Sequence, residues 1–495
     1  MSRSKKEPFA ALAQNEEELA AYTVFGRSFQ EHVKLPAGDV KRMEKCFSEA
    51  LEWYREQGLA PEEAVRRLDP AQLGGFYVRP ADRWFPLDEA AVIYPINMAQ
   101  SGPSLFRLAM TLKEEVQPAL LKVALAFVIK RFPTFSTVVR RGFFWHYLDT
   151  VKRFYEAEED TDRPLRPKGF GSSAMPSFRV LYSGKRIAVE CFHVLTDGSG
   201  GTVFLKTLVA EYLRLTGAEI PNEKGVMDPE AVPLPSEMRS AFRDTGARGG
   251  SLTEKRAVQM SGRIVDALPY RVLHFEMPAS RLVDAAHRAG VTVTAFLSVL
   301  IYRAARGSAD TTDGVFRIQI PVNMRKFQEG TPTLRNDSMF GSVAFAMDRE
   351  DPEDVLFREA GEQLVENCSR ENMEKQMTDA VRTKRLVRFL PLFIKGPVER
   401  SIFRTIGIGA YTTVLSNLGV VEMPEEMAAR VERAEFTLSG CKKNRGVCAM
   451  VTLGDRSVLT VTESTADPSF SESLYRELEQ HGLETTVTGS LPYEN

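Results

Sequence analysis

Cysteine is scarce in this chain. Five in 495 residues, at positions 46, 191, 368, 441 and 448, are too few and too scattered for a disulfide framework, and reduced thiols are the expectation. Cys441 and Cys448 have no histidine pair nearby, which argues against zinc. Long hydrophobic runs are missing too: none approaches the ~20 apolar residues of a membrane span. The formal charge of −2 leaves no overall basic excess with which to hold nucleic acid or an anionic membrane, although local patches stay open. There is no HExxH, no Walker lysine loop and no GxSxG elbow. Gly407-Ile-Gly409 begins like a dinucleotide loop but lacks the last glycine, so neither a bound metal nor a redox cofactor is expected. The opening Met1-Ser-Arg-Ser-Lys-Lys has basic residues with no apolar run behind them; it does not read as a secretory signal, and a cytoplasmic location is the default.

What is present is ordinary globular material, 43% hydrophobic and 26% charged, in a chain long enough for two domains with sizeable cores. Residues 1–85 read as a helical N-terminal extension: Lys41–Gln57 carries helical periodicity up to Gly58, and Pro61 opens a further helix. A first lobe is expected over 86–220, with a strand at 91–97, a helix over 114–131, a strand at 131–140 and another at 142–148. His146, within that last aromatic run, reads as a packed or wall residue. A hydrophilic tract rich in proline and glycine, 221–263, reads as a crossover between lobes. The second lobe, 264–495, repeats the pattern. Strands are expected at 270–276, 315–325 and 411–419, helices over 279–289, 294–305 and 469–481, and a hairpin over 447–463.

The stretch on which function turns is Cys191-Phe-His193-Val-Leu-Thr-Asp197-Gly198-Ser-Gly-Gly201. Phe178 to His193 reads as two extended segments joined by Ser183-Gly184, placing the imidazole at the end of a strand. From Thr202 the apolar residues recur at helical spacing as far as Gly217, so the glycines after Asp197 open a helix. A positioned histidine takes the proton of a hydroxyl or amine as it attacks, and its ordinary pKa suits that task near neutral pH. Asp197 can hold the ring or the local backbone in one arrangement, and Gly198 is expected to supply dihedrals that a side chain forbids. The plainer alternative is a satisfied strand-end histidine followed by an aspartate N-cap.

His193-Val-Leu-Thr-Asp197-Gly198 resembles the signature of the HxxxDG acyltransferase superfamily, which includes chloramphenicol acetyltransferases, plant BAHD acyltransferases, condensation domains and bacterial alcohol acetyltransferases. The resemblance covers roughly 85–490 and implies an α/β fold of two chloramphenicol acetyltransferase-like lobes, each a mixed sheet with flanking helices, with an active-site tunnel at their interface. It implies catalytic roles for His193, Asp197 and Gly198. In Pro321-Val-Asn323-Met-Arg325, followed by Leu334-Arg335-Asn336, it implies that Arg325 pairs with Asp197 as a bidentate clamp, with Arg335 the second candidate, and that Asn323 faces the tunnel. Ser416-Asn417-Leu-Gly419 resembles the strand end opposite the histidine, where a hydroxyl or amide would donate to an oxyanion; a simple turn explains those residues equally well. The motif has one histidine where many condensation domains have two, and the BAHD motif Asp-Phe-Gly-Trp-Gly is absent. The implied activity is transfer of an acyl group from acyl-CoA to a small alcohol or amine, closest in pattern to the alcohol acetyltransferases. An acyl carrier protein as donor, and a catalytically silent binding member of the fold, stay open.

Overall fold

Three sheets organise the described chain, which in the computed structural model comprises residues 8–78, 83–96, 104–161, 163–166, 176–247, 256–265, 269–311, 313–330, 332–402, 408–440 and 444–493. Their strands are β1 (Trp84–Pro86), β2 (Leu105–Leu112), β3 (Thr137–Arg141), β4 (His146–Thr150), β5 (Ala157–Glu159), β6 (Phe178–Ser183), β7 (Arg186–Phe192), β8 (Arg271–Pro278), β9 (Val315–Asn323), β10 (Ser338–Ala346), β11 (Thr413–Val420), β12 (Val431–Leu438), β13 (Gly446–Leu453), β14 (Arg456–Glu463) and β15 (Thr486–Gly489). A five-stranded sheet runs β12-β2-β7-β6-β5, a seven-stranded sheet β10-β9-β11-β13-β14-β8-β15, and a small sheet β1-β4-β3. Both large sheets are mixed: β5–β6, β9–β11 and β11–β13 are parallel, the other pairs antiparallel. The result is a two-lobed α/β fold with helices against both large sheets.

In the first lobe, β2 and β7 are buried on nearly every residue, which is why they read as continuous apolar runs. The helices Pro118–Val128 and Gly198–Leu215 pack on this sheet and on each other. Strand β9 instead alternates buried and half-buried residues, the mark of one face turned to the core. Strand β12 comes from far along the chain yet adds to the first lobe's sheet, pairing with β2 from Val431↔Leu112 to Leu438↔Phe106. The N-terminal helices Glu16–His32, Ala37–Glu56 and Pro61–Arg67 cover the first lobe: Phe47 meets Phe127 edge to face at 6.2 Å, and Tyr54 donates to the Leu215 carbonyl at 2.6 Å. Each buried phenylalanine of that layer contributes about 1.5–3 kcal/mol.

Several elements differ from the sequence reading. Residues 91–96 form a turn and then a helical turn at 93–96, started by the Ala91 N–H bonded to the Asp88 carbonyl; a short apolar run cannot by periodicity alone be told from a helix, and Asn97 lies outside the described residues. The helix expected over 114–131 starts at Pro118, in its first turn, and ends in a 3-10 turn, Ile129–Arg131. Residues 142–145 are the turn of the β3–β4 hairpin, closed by the Gly142 N–H on the Trp145 carbonyl at 2.9 Å, so the strand begins only at His146. Burial lowers the His146 pKa to about 4. Within the tract 221–263, Glu237 is buried and receives both terminal nitrogens of Arg131, at 2.6 and 2.8 Å. Among the described residues no single helix is long and apolar enough to cross a membrane.

Candidate active site

Strand β7 ends at Phe192 and His193 follows at once, its N–H bonded to the Ser104 carbonyl at 2.9 Å. The chain turns, Leu195 N–H returning to the Phe192 carbonyl, and Asp197 caps the helix Gly198–Leu215 by accepting from Gly200 N–H at 2.9 Å. That end of the first lobe meets one loop of the second. Ser338 pairs with Asn323 at the mouth of the β9–β10 hairpin, and the loop between them, 324–337, carries Arg325, Arg335, Asn336 and Asp337 onto the His193–Asp197 turn.

The contacts are polar and buried. Arg325 Nη1 donates to Asp197 Oδ2 at 2.8 Å, and the Asp337 N–H donates to the same oxygen at 2.8 Å. The guanidinium is not bidentate on Asp197: Nε goes to the Thr333 carbonyl at 2.7 Å, Nη2 to the Arg335 carbonyl at 2.6 Å, and Nη1 also to Asn323 Oδ1 at 3.1 Å. It braces its own loop as well as the carboxylate. Burial alone would raise the Asp197 pKa, but the Arg325 charge and the Gly200 and Asp337 N–H groups hold it below the usual carboxylate range. Arg335 pairs with Asp88, not Asp197, at 3.2 Å. Burial raises both Asp88 and Asp337 to about 6, against the pull of Arg335 and Arg325 respectively.

His193 is a half-buried residue. Tyr94 stacks on it at 5.0 Å, and Phe106 meets its edge at 5.2 Å. Asn336 Nδ2 donates to the His193 main-chain carbonyl at 2.9 Å and lies 3.0 Å from Nδ1. Among the described residues Nε2 has no hydrogen-bond partner. Desolvation lowers the imidazole pKa from its ordinary value, outweighing the Asp197 charge and the ring's contact with its own carbonyl, which raise it.

Gly198 is not a conformational requirement, for its φ is not positive. A Cβ there would come 2.6 Å from Leu418 Cδ2, so the need is for space, and the end of β11 reaches the motif through Leu418. Gly200 is the stricter position: a Cβ would strike Thr196 Oγ1 and come 2.5 Å from the Leu334 carbonyl oxygen, the two groups that bond each other at 2.6 Å. Gly200→Ala is expected to destabilise the fold by about 1–3 kcal/mol, and Gly198→Ala by less, because a leucine side chain can swing aside. Urea unfolding midpoints of the two variants measure the order.

Other residues singled out from sequence lie farther out. Asn323 is exposed at the end of β9, where its Nδ2 donates to Ser199 Oγ at 3.0 Å and its Oδ1 takes Arg325 contacts. Asn417 is engaged at both ends of its amide, with Thr294 Oγ1 at 3.2 Å and the Gly419 N–H at 2.8 Å, beside a bulge at Leu418-Gly419. Ser416, nearly buried on the same strand, is not brought against His193 by any hydrogen bond. Thr333 and Gln328, which hold Arg325 and Asp337, also line a cavity of about 500 Å³ with Arg239 and Arg243; His193 is not among its lining residues. Sequence reasoning did not single out Tyr94 or Asp88, and it quoted Asn336 without giving it a role. The signal at Asn336 was its place between two charged residues after a strand-end arginine.

No protein-family profile and no curated protein matches the chain. Solved structures do. TRI101 of F. sporotrichioides, complexed with coenzyme A and T-2, superposes with a TM-score of 0.57 at 11% identity, over 82% of this chain and all of that one. The trichothecene 15-O-acetyltransferase TRI3 from Fusarium sporotrichioides gives 0.53 at 10% identity, over 82% and 97%. The first condensation domain of the calcium-dependent antibiotic synthetase gives 0.51 at 13%, over 83% and 100%. The chain therefore has the two-lobed chloramphenicol acetyltransferase-like fold of these structures.

Proposed function

We propose that the protein is an acyltransferase that moves an acyl group from a thioester, acyl-CoA, to an alcohol or amine, with His193 as general base. The observation that carries this reading is the division of labour around Asp197. Both its oxygens are committed, Oδ1 to Gly200 and Oδ2 to Arg325 and Asp337, so it cannot receive a proton relayed from the ring. His193 then works alone through Nε2, which needs its ring proton on Nδ1, turned to its own carbonyl, with the Asn336 amide donating to that carbonyl and not to Nδ1. The Asn336 amide, holding that carbonyl, is the positioning group. The acceptor's O–H or N–H proton passes to Nε2 as its heteroatom bonds to the thioester carbonyl carbon. The tetrahedral oxyanion collapses, the C–S bond breaks, and Nε2 returns the proton to the thiolate. Ser416, whose strand approaches the motif at Leu418, is the hydroxyl we assign to the oxyanion. The presence of coenzyme A in the TRI101 structure supports CoA as the donor's carrier.

The pH dependence follows from the site. A base must be unprotonated, so kcat/KM rises with pH through the His193 pKa and then levels; since burial lowers that pKa, the acid limb has its midpoint below 6.5. A midpoint above 6.5 contradicts the assignment. The reading as a whole is tested by incubating the protein with acetyl and longer acyl-CoA plus a panel of alcohols and amines while free thiol is followed. Acceptor-dependent thiol release supports it, and its absence across the panel removes it.

A further inference from the structure

We propose that the protein docks on anionic lipid bilayers through an aromatic and basic patch formed by two neighbouring turns. One is the β3–β4 turn, 142–145; the other, 387–391, joins the helices Arg370–Leu386 and Leu392–Ile402. Phe143, Leu386, Phe389 and Phe393 are 66%, 85%, 71% and 61% exposed. The phenylalanines are not scattered: Phe143 lies 4.9 Å from Phe144 and 6.4 Å from Phe393, and Phe144 lies 6.5 Å from Phe389. Single exposed apolar residues are common, whereas a contiguous cluster of this size marks an interaction surface.

Two further features select a bilayer as the occupant. The turns satisfy their own backbone. Leu392 N–H bonds the Phe143 carbonyl at 2.8 Å, Lys395 Nζ the Phe144 carbonyl at 2.9 Å, Gly142 N–H the Trp145 carbonyl and Leu390 N–H the Val387 carbonyl, while Pro391 has no N–H. Moving such turns out of water strands few polar groups, which is the condition for entering a lipid interface. The charge is also strongly biased to one sign. Residues 140–145 and 381–395 contain seven basic side chains and no acidic one; one of the seven, Lys395, is buried and the other six lie at or near the surface. Three carboxylates pair with them: Asp149 with Arg140, Asp244 with Arg382 and Arg385, and Glu89 with Lys384. Arg141 and Arg388 are exposed, and among the described residues neither has a carboxylate partner. In a chain of formal charge −2 this excess is local. A second copy of the same patch would bring cations against cations, whereas phenylalanine and leucine between arginines is the composition that inserts at an anionic membrane surface.

Co-sedimentation of the full chain with vesicles of phosphatidylserine and phosphatidylcholine, against phosphatidylcholine alone, tests this independently of any turnover. Wild type is expected to bind the anionic vesicles and to release as salt is raised. Arg141→Glu with Arg388→Glu is expected to weaken binding at least tenfold, at about fivefold per basic residue lost, and Phe143→Ser with Phe389→Ser at least tenfold, both pairs keeping the wild-type circular dichroism and unfolding midpoint. If the phenylalanine pair does not fold, the arginine pair decides. The proposal is overturned if wild type ignores anionic vesicles, if both folded variants bind as wild type does, or if an acidic acyl carrier protein, and not the vesicles, is what the variants fail to bind.

Discussion

His193→Ala is expected to lower turnover of any working donor–acceptor pair by about 10²–10⁴-fold, the usual contribution of a positioned base. The loss should fall on kcat, with donor KM little changed, because the imidazole is assigned to proton transfer and not to holding the thioester. Packing is the rival explanation, since the ring is stacked by Tyr94 and met by Phe106. His193→Gln separates the two. Glutamine refills much of the volume and keeps an amide that can reach Asn336, but it cannot take a proton at neutral pH. An equal loss in both variants, with unfolding midpoints near wild type, identifies the missing base. A glutamine variant within about fivefold of wild type would mean that the ring only fills space, and the acyl-transfer reading would have to find another base.

The elements around that ring were legible to different degrees, and the reason is how local their signals are. The β6–β7 hairpin and the helix after it carry their own punctuation: Gly184 and Gly217 both sit at positive φ, at the turn and just past the helix end, and the intervening periods of two and 3.6 are clear. The β13–β14 hairpin around Gly454 is similar. Strand β2 was missed because burial on both faces erases alternation. Strand β12 was missed because its reason for being a strand lies more than 300 residues earlier, along β2. The site divides the same way. His193, Asp197 and the three glycines share one short stretch, so their proximity can be read directly, and the strand-end Arg325 was within reach of family resemblance. Tyr94 and Asp88 belong to a segment whose turn has no periodicity, and Asn336 acquires its partner only because the loop 324–337 crosses between lobes. Even Gly198 was selected for the wrong physical reason: sequence suggests backbone freedom, while the neighbour that forbids a Cβ, Leu418, lies 220 residues away.

Removing the guanidinium that joins those two lobes is expected to have the largest effect on stability. In Arg325→Ala the Asp197 carboxylate, 4% exposed, loses its only cationic partner among the described residues, and the Thr333 and Arg335 carbonyls lose a donor. Breaking a buried pair from one side typically costs 3–5 kcal/mol, and the urea midpoint should fall accordingly. The sign of its pH dependence is distinctive. In wild type the Asp197 pKa is lowered on folding, so its contribution is present above the unfolded carboxylate range and is lost as pH falls through the folded value. Without Arg325, desolvation dominates and the folded pKa rises above the unfolded one; the penalty is then full at pH 7 and shrinks as pH falls and Asp197 takes up a proton. The deficit of Arg325→Ala relative to wild type should therefore be smaller at pH 5 than at pH 7. Adding Asp197→Asn to Arg325→Ala removes the stranded charge and should recover part of the stability, yet turnover should stay low, because the loop that sets Asn336 against His193 has lost its brace. Arg325→Lys restores charge without the fork that spans Asp197, Thr333 and Arg335, and should lie between. A variant lacking Arg325 that unfolds within about 1 kcal/mol of wild type and turns over within twofold would show that the two lobes hold the ring in place without this clamp.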